Sequence, residues 1–238
     1  MTQQLELEIL RQPDNTTCGP TCLHAVYRYF GDTISLAQLI GETPMLPEGG
    51  TLAVHLGRHA LRRGYRARIY TFNLAVFDPT WFVDGEAASE RLIERLERQA
   101  QVKEDPKLQA ACNAYCEYLR LGGSIRMIDL TSGLLRRYLK RGIPILTGLS
   151  STYLYRSARE YGAGCIADDV RGYPVGHFVV LCGYDPQERK VRVADPYLPN
   201  PAGHRHYYEV SIDRLVCSIL LGVLTYDANL LVIEPGGN

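Results

Sequence analysis

The stretch HFVVLCGYD, residues 177–185, constrains the fold more than any other feature of this chain. It is strongly apolar and reads as a strand. The turn DPQERK follows, and then a partner strand in VRVADPY, residues 191–197. YRARIYTF at 65–72 alternates apolar and polar residues, as a strand does. IPILTGL at 143–149, YYEV at 207–210 and LLVIE at 230–234 read as further strands.

Helical signals dominate the first half. A helix is expected from Cys18 to Phe30, with Cys22, Val26, Tyr29 and Phe30 on its apolar face and Gly31 as its stop. Ser35 caps a short helix through Ile40, and Thr51 opens another that Gly64 ends. Residues 84–123 differ in texture. A charged amphipathic helix with Leu92, Ile93 and Leu96 inward breaks at Asp105-Pro106, and Leu108, Cys112, Tyr115 and Leu119 form a second stripe. This pattern predicts a helical hairpin inserted into the core fold. Leu134 to Lys140, behind Thr131 or Ser132 as cap, and SIDRLVCSIL at 211–220 read as helices. Residues 150–174 read as a polar connection rich in Tyr and Gly. Helices first and antiparallel-type strands later argue for α+β. The 238 residues suit one domain with an insertion, or two small ones, and we take 1–238 as a single domain.

Charge narrows the partners. With 26 basic and 26 acidic residues, nothing favours nucleic acid or an anionic membrane surface. MTQQLELEIL lacks the basic start and apolar run of a signal peptide, and no run approaches the roughly 20 apolar residues of a membrane helix. A cytoplasmic protein is therefore expected. Seven cysteines, an odd number in a long chain, argue against a disulfide scaffold.

Cys18 sits at the start of the expected helix in TTCGPTCLHAVYRYFG. Helix-end N–H groups and the macrodipole favour a thiolate there, and the thiolate is the nucleophilic form. Gly19 gives a substrate close access to the backbone, and Pro20 suits a first helical turn. Gln12, six residues earlier across a turn, can aim an amide N–H above the sulfur and form an oxyanion hole with the Cys18 N–H. His177, preceded by Gly176, opens one strand of the hairpin, and Asp195 ends the other. The two fall toward the same end, as a base and the carboxylate that orients it.

Other constellations are weaker. His24 lies six residues beyond Cys18 and turns away from it. His55 and His59 are one turn apart on an expected surface helix, with no third metal ligand in view. His204 and His206 read as solvated. The Cys18–Cys22 and Cys112–Cys116 spacings lie within helices and do not suit zinc. No metal or cofactor is called for.

QPDNTTCGPTCLHAVYRYFG followed by a capped short helix, then GHFVVLCGYD and VRVADPY, resembles papain-like cysteine peptidases, closest to the bacteriocin-leader (double-glycine) peptidase family and its free-standing bacterial relatives. The resemblance implies a papain-like α+β fold, with the nucleophile at a helix N-terminus packed on a C-terminal antiparallel sheet. By motif position it assigns nucleophile, base, orienting carboxylate and oxyanion donor to Cys18, His177, Asp195 and Gln12. Thr17 departs from the pattern, since an acidic residue often precedes the nucleophile in that family. In such a layout the 150–174 connection borders the cleft, so Tyr153 and Tyr155 join Gly19 and Gly176 as candidate substrate contacts; a solvated loop is the alternative. The implied activity is hydrolysis of a peptide or amide bond through a thioester acyl-enzyme. An acyl transferase with an amine acceptor and a non-catalytic peptide-binding module are the alternatives.

Overall fold

A computed structural model describes residues 3–47, 49–162 and 164–237. The first half runs β1 (Gln3–Gln4), α1 (Cys18–Tyr29), α2 (Leu36–Glu42), α3 (Ala53–Arg62), β2 (Arg66–Thr71), α4 (Ser89–Val102) and α5 (Pro106–Arg120). The second continues with β3 (Ser124–Arg126), α6 (Ser132–Leu139), β4 (Ile145–Ser150), α7 (Ser151–Tyr155), β5 (Glu160–Tyr161) and β6 (Ile166–Ala167). The chain then forms β7 (Gly176–Asp185), β8 (Lys190–Ala194), β9 (Tyr207–Ser211), α8 (Ile212–Leu221) and β10 (Asn229–Glu234).

The main sheet has the order β3-β2-β10-β4-β7-β8-β9, with β1 added beside β7. Every pairing is antiparallel except β2 with β3. The fold is α+β, as the segregation of signals predicted. β4 and β10 sit at the sheet's centre, and their near-continuous burial explains why their sequences carry almost no charge.

One irregularity decides which way side chains point. Along β7 and β8 the pairs Asp185↔Lys190, Tyr184↔Val191 and Gly183↔Arg192 share one register, and Leu181↔Val193 begins another. Cys182 is the extra residue, with its thiol turned to the Arg192 carbonyl at 3.7 Å. A bulge of this kind shifts everything beyond it to the opposite face of the partner strand. In the shifted register Leu181 and Val193 share a face, so His177 and Asp195, each an even number of residues away, share it too.

α1 is more enclosed than a one-sided amphipathic helix. All ten residues from Cys18 to Tyr27 are buried, because the helix lies against β7 on one side and contacts α2 and α3 on others. Contact with β7 is close. A Cβ at Gly19 would fall 2.7 Å from Thr51 Cγ2 and 3.3 Å from Phe178 Cδ2. The Cys22 thiol donates to the Phe178 carbonyl at 3.2 Å.

α4 and α5 form the expected antiparallel pair, and α5 also packs on α3. Asp105 caps α5 by accepting from Lys107 N and Leu108 N, and its other oxygen accepts from the Tyr226 hydroxyl at 3.0 Å. The 150–174 segment is more ordered than a connection. It holds α7, capped by Ser150, and the small β5–β6 sheet. These pieces are too short to give a periodic signal. α3 also departs from expectation, since His59 is buried between Tyr27 and Glu42, hydrogen-bonded to each at 2.9 Å. Among the described residues no helix is long and apolar enough to cross a membrane.

Candidate active site

The turn before α1 is braced by its own side chains. Asp14 accepts from Thr16 N and Thr16 Oγ1, both at 2.7 Å. Burial opposes its charge, but the bonds from Thr16 and Thr17 hold its carboxyl below the usual range. α1 begins at Cys18 with no acidic residue in its first turn, so nothing there opposes negative charge on the sulfur. Cys18 is 8% exposed. Cys22, one turn on, is fully buried. Burial first, and then the charges of Cys18 and Asp195, push its thiol well up, which leaves it a poor nucleophile.

His177 and Asp195 meet as the hairpin predicted. His177 Nε2 lies 2.9 Å from Asp195 Oδ1. That leaves Nδ1 uncommitted to Asp195, and Cys18 lies close enough to His177 to act on its protonation. Burial favours the neutral ring, yet the Asp195 charge and bond, together with Cys18, outweigh it and raise His177 to about 10. Asp195 is wholly buried and served by four donors. Oδ1 also accepts from Tyr197 N at 2.9 Å, and Oδ2 accepts from the Tyr155 and Tyr208 hydroxyls, each at 2.7 Å. Burial works against its ionised form, but the imidazolium and these bonds keep its pKa below the ordinary value.

Gln12 is joined to the same corner, because its backbone N–H donates to the Pro196 carbonyl at 2.9 Å. Its amide donates one hydrogen to the Asp14 carbonyl at 2.7 Å, and its buried Oε1 has no partner. Reversing the amide would set two acceptors against each other, so the orientation is fixed and the second amide hydrogen is left over. A cavity of about 210 Å³ opens here, with Gln12, Tyr155, Gly176, His177 and Tyr197 among its walls; Cys18 is not among them.

The four expected substrate contacts fall in different places. Gly19 faces Thr51 and Phe178, so its missing side chain serves the packing of α1 rather than substrate access. Tyr153 borders a separate apolar depression with Leu221 and Leu224. Tyr155 lines the cavity, but its hydroxyl is committed to Asp195. Gly176 lies on the cavity wall, as expected.

Two residues near Asp195 escaped the sequence reading. Tyr208 pairs with Val193 across β8 and β9, which puts it on Asp195's face; the alternation of YYEV was the available signal. His206, expected in solvent, is half-buried. Its Nδ1 donates to the Asp195 carbonyl at 2.7 Å while its own carbonyl accepts from Asp195 N at 2.8 Å.

No curated protein matches the chain. Among solved structures it is similar to the peptidase domain of Streptococcus ComA, a bi-functional ABC transporter of a quorum sensing pathway. The identity is 13% over 97% of this chain and 99% of that one, with a TM-score of 0.43. A double glycine motif protease from an AMS/PCAT transporter, in complex with the leader peptide, shows 11% identity over 99% of both chains and a TM-score of 0.46. Xylellain, a cysteine protease from Xylella fastidiosa, shows 12% identity over 98% of this chain and 85% of that one, with a TM-score of 0.39. The family model of the Peptidase_C39 like family matches residues 115–215, the stretch that holds Tyr155, His177, Asp195 and Tyr208, and the family resemblance read from the sequence holds there.

Proposed function

We propose that this chain is a cysteine peptidase or amidohydrolase that works through a thioester acyl-enzyme. The observation that carries the reading is the His177 ring, bonded at Nε2 to a fully served Asp195, with Cys18 at a helix start near enough to help raise the ring's pKa. His177 takes the Cys18 proton, and the thiolate attacks the substrate carbonyl. The resulting oxyanion accepts from the Cys18 N–H and from the uncommitted amide hydrogen of Gln12. The imidazolium then gives its proton to the leaving amine, and the thioester remains. Water, deprotonated by His177, hydrolyses the thioester and returns Cys18 to its thiol form. Asp195 stays ionised throughout, holding the ring's direction and tautomer. No cofactor enters this sequence, and the substrate is a peptide or another amide.

Iodoacetamide labelling read by mass spectrometry tests the reading. Cys18 should label faster than the exposed Cys165 near neutral pH, and His177→Ala should slow it by about tenfold or more. A Cys18 no more reactive than Cys165 would sink the proposal. Peptide substrates supplied with an amine then decide the acceptor, since a product that contains the amine means acyl transfer.

A further inference from the structure

Asp227 is a second buried carboxyl close to the His177 strand, and the reaction sequence above makes no use of it. Three glycines from separate elements make room for it. A Cβ at Gly176 would fall 2.5 Å from its Oδ2, one at Gly148 would fall 2.6 Å from its Oδ1, and one at Gly222 would fall 3.2 Å from its Cβ. Its neighbours Tyr226 and Ala228 both hold left-handed backbone, at φ of 64° and 61°, a costly conformation for residues with side chains. The structure accepts that strain on both sides of a carboxyl that touches the α-carbon region of Gly176, next to His177.

Its hydrogen bonding suits a neutral acid. Oδ1 is buried without a hydrogen-bond partner among the described residues. Oδ2 lies 3.0 Å from Thr225 Oγ1, which also lies 3.1 Å from the Gly222 carbonyl. Thr225 has one proton for two acceptors, so its bond to Oδ2 supports an ionised Asp227 only in part and leaves Oδ1 bare. The charged and titratable groups that face it are His177 on β7 and Lys107 and Tyr115 on α5, while β4 and the end of α8 present glycines. Burial raises its pKa to about 7, against the pull of the Thr225 bond and of the Lys107 and His177 charges.

We propose that Asp227 is a positioning residue with one exchangeable proton, which acts on the reaction through His177. Neutral, it leaves the ring under the control of Asp195. On losing its Oδ2 proton to solvent, it adds a second negative charge near the ring and holds the imidazolium to higher pH. This rests on His177 being the base of Cys18.

Two NMR titrations test it, carboxyl ¹³C for Asp227 and imidazole ¹⁵N for His177, in wild type and Asp227→Asn. A carboxyl signal lost in the variant should titrate within about one unit of pH 7, and the His177 midpoint should fall in the variant by about half a unit, a threefold change in its ionisation ratio. Cys18 labelling should match wild type at about pH 5.5, where Asp227 is protonated, and differ at about pH 9.8, between the two His177 midpoints; a purely structural role would alter both. A carboxyl midpoint below about 5, or an unmoved His177, overturns the proposal. Should Asp227→Asn not fold, Thr225→Val serves in its place: it should push the wild-type carboxyl midpoint higher, with Thr225→Ser restoring it, and an unchanged midpoint counts against the proposal. If instead His177→Ala leaves Cys18 labelling unchanged, the base assignment fails, whatever Asp227 does.

Discussion

The corner at Asp195 and the corner at Asp227 hold the same side chain at nearly the same burial, 0% and 5% exposed, and treat it in opposite ways. Asp195 receives four hydrogen bonds and faces an imidazolium, so it stays charged. Asp227 has a single hydroxyl to share and one oxygen with none, so its charge is suppressed. Removal from water costs both carboxylates about equally. What separates them is first the imidazolium beside Asp195 and then the number of donors that replace the water. Burial therefore says little about whether an acid near this site is ionised, and the neighbouring charge and donor count say most of it.

The largest break in the comparison is Asp195→Ala. It strands two tyrosine hydroxyls and an imidazolium, and loss of one partner from a buried pair costs about 3–5 kcal/mol. Turnover of a cleavable peptide should fall on the order of a thousandfold or more, as the ring loses its direction. Urea unfolding and a rate assay measure the two effects.

Asp227→Asn should act oppositely on stability. The folded pKa of about 7 exceeds the ordinary 3.8, so the unfolded chain gives up this proton first. The contribution of Asp227 is whole below the ordinary value and declines as pH rises toward 7, by roughly 4 kcal/mol at most. The variant lacks that decline and should gain on wild type across this range in urea unfolding. The Asp195 corner does not blur the reading. His177, raised from 6.5 to about 10, contributes fully below 6.5 and loses its contribution as pH rises through 10. Asp195, with a lowered pKa, contributes above its ordinary value and loses it only as pH falls through the lowered one. Between about pH 4 and 6.5 that pair is flat, whereas buried His55, lowered from 6.5 to about 4, adds a slope of opposite sign in both proteins, so the difference between variant and wild type belongs to Asp227.

The smallest effect sharpens the donor count. Tyr208→Phe removes one of four donors to Asp195 and should cost about 1.5 kcal/mol, the low end for a bond to a charged group. His177's ring should keep a midpoint well above 6.5 in an NMR titration, because three donors remain. A return to 6.5 would mean that the hydroxyls, rather than the full set, keep Asp195 ionised.

The meeting of His177 with Asp195 and the place of Cys18 at a helix start were legible because each sits where local chemistry speaks. Cys18 precedes a helix of clear period, and His177 and Asp195 bracket a hairpin with an unmistakable turn. The glycine cradle was not legible, since Gly148, Gly176 and Gly222 come from three elements and share no spacing. Tyr155 and Tyr208 were seen as residues but not as donors, because their partner lies 40 and 13 residues away. The burial of His59 was missed because nothing in the spacing of its own helix reveals Tyr27 and Glu42 on two other helices. The pieces of 150–174 were missed because five-residue and two-residue elements rest on tertiary contacts.

The extra residue at Cys182 has a consequence for arithmetic. His177 and Asp195 are 18 positions apart, an even number, whereas the pairs nearest the turn, such as Asp185↔Lys190, differ by odd ones. In an unbroken ladder an even separation puts two residues on opposite sides of the sheet, and one added residue restores parity. A descendant of this chain can change the hairpin's length by two and keep base and carboxylate together. A change of one within the paired strands between them must be answered by another, whereas the turn at 186–189 can change length without moving either side chain to the other face.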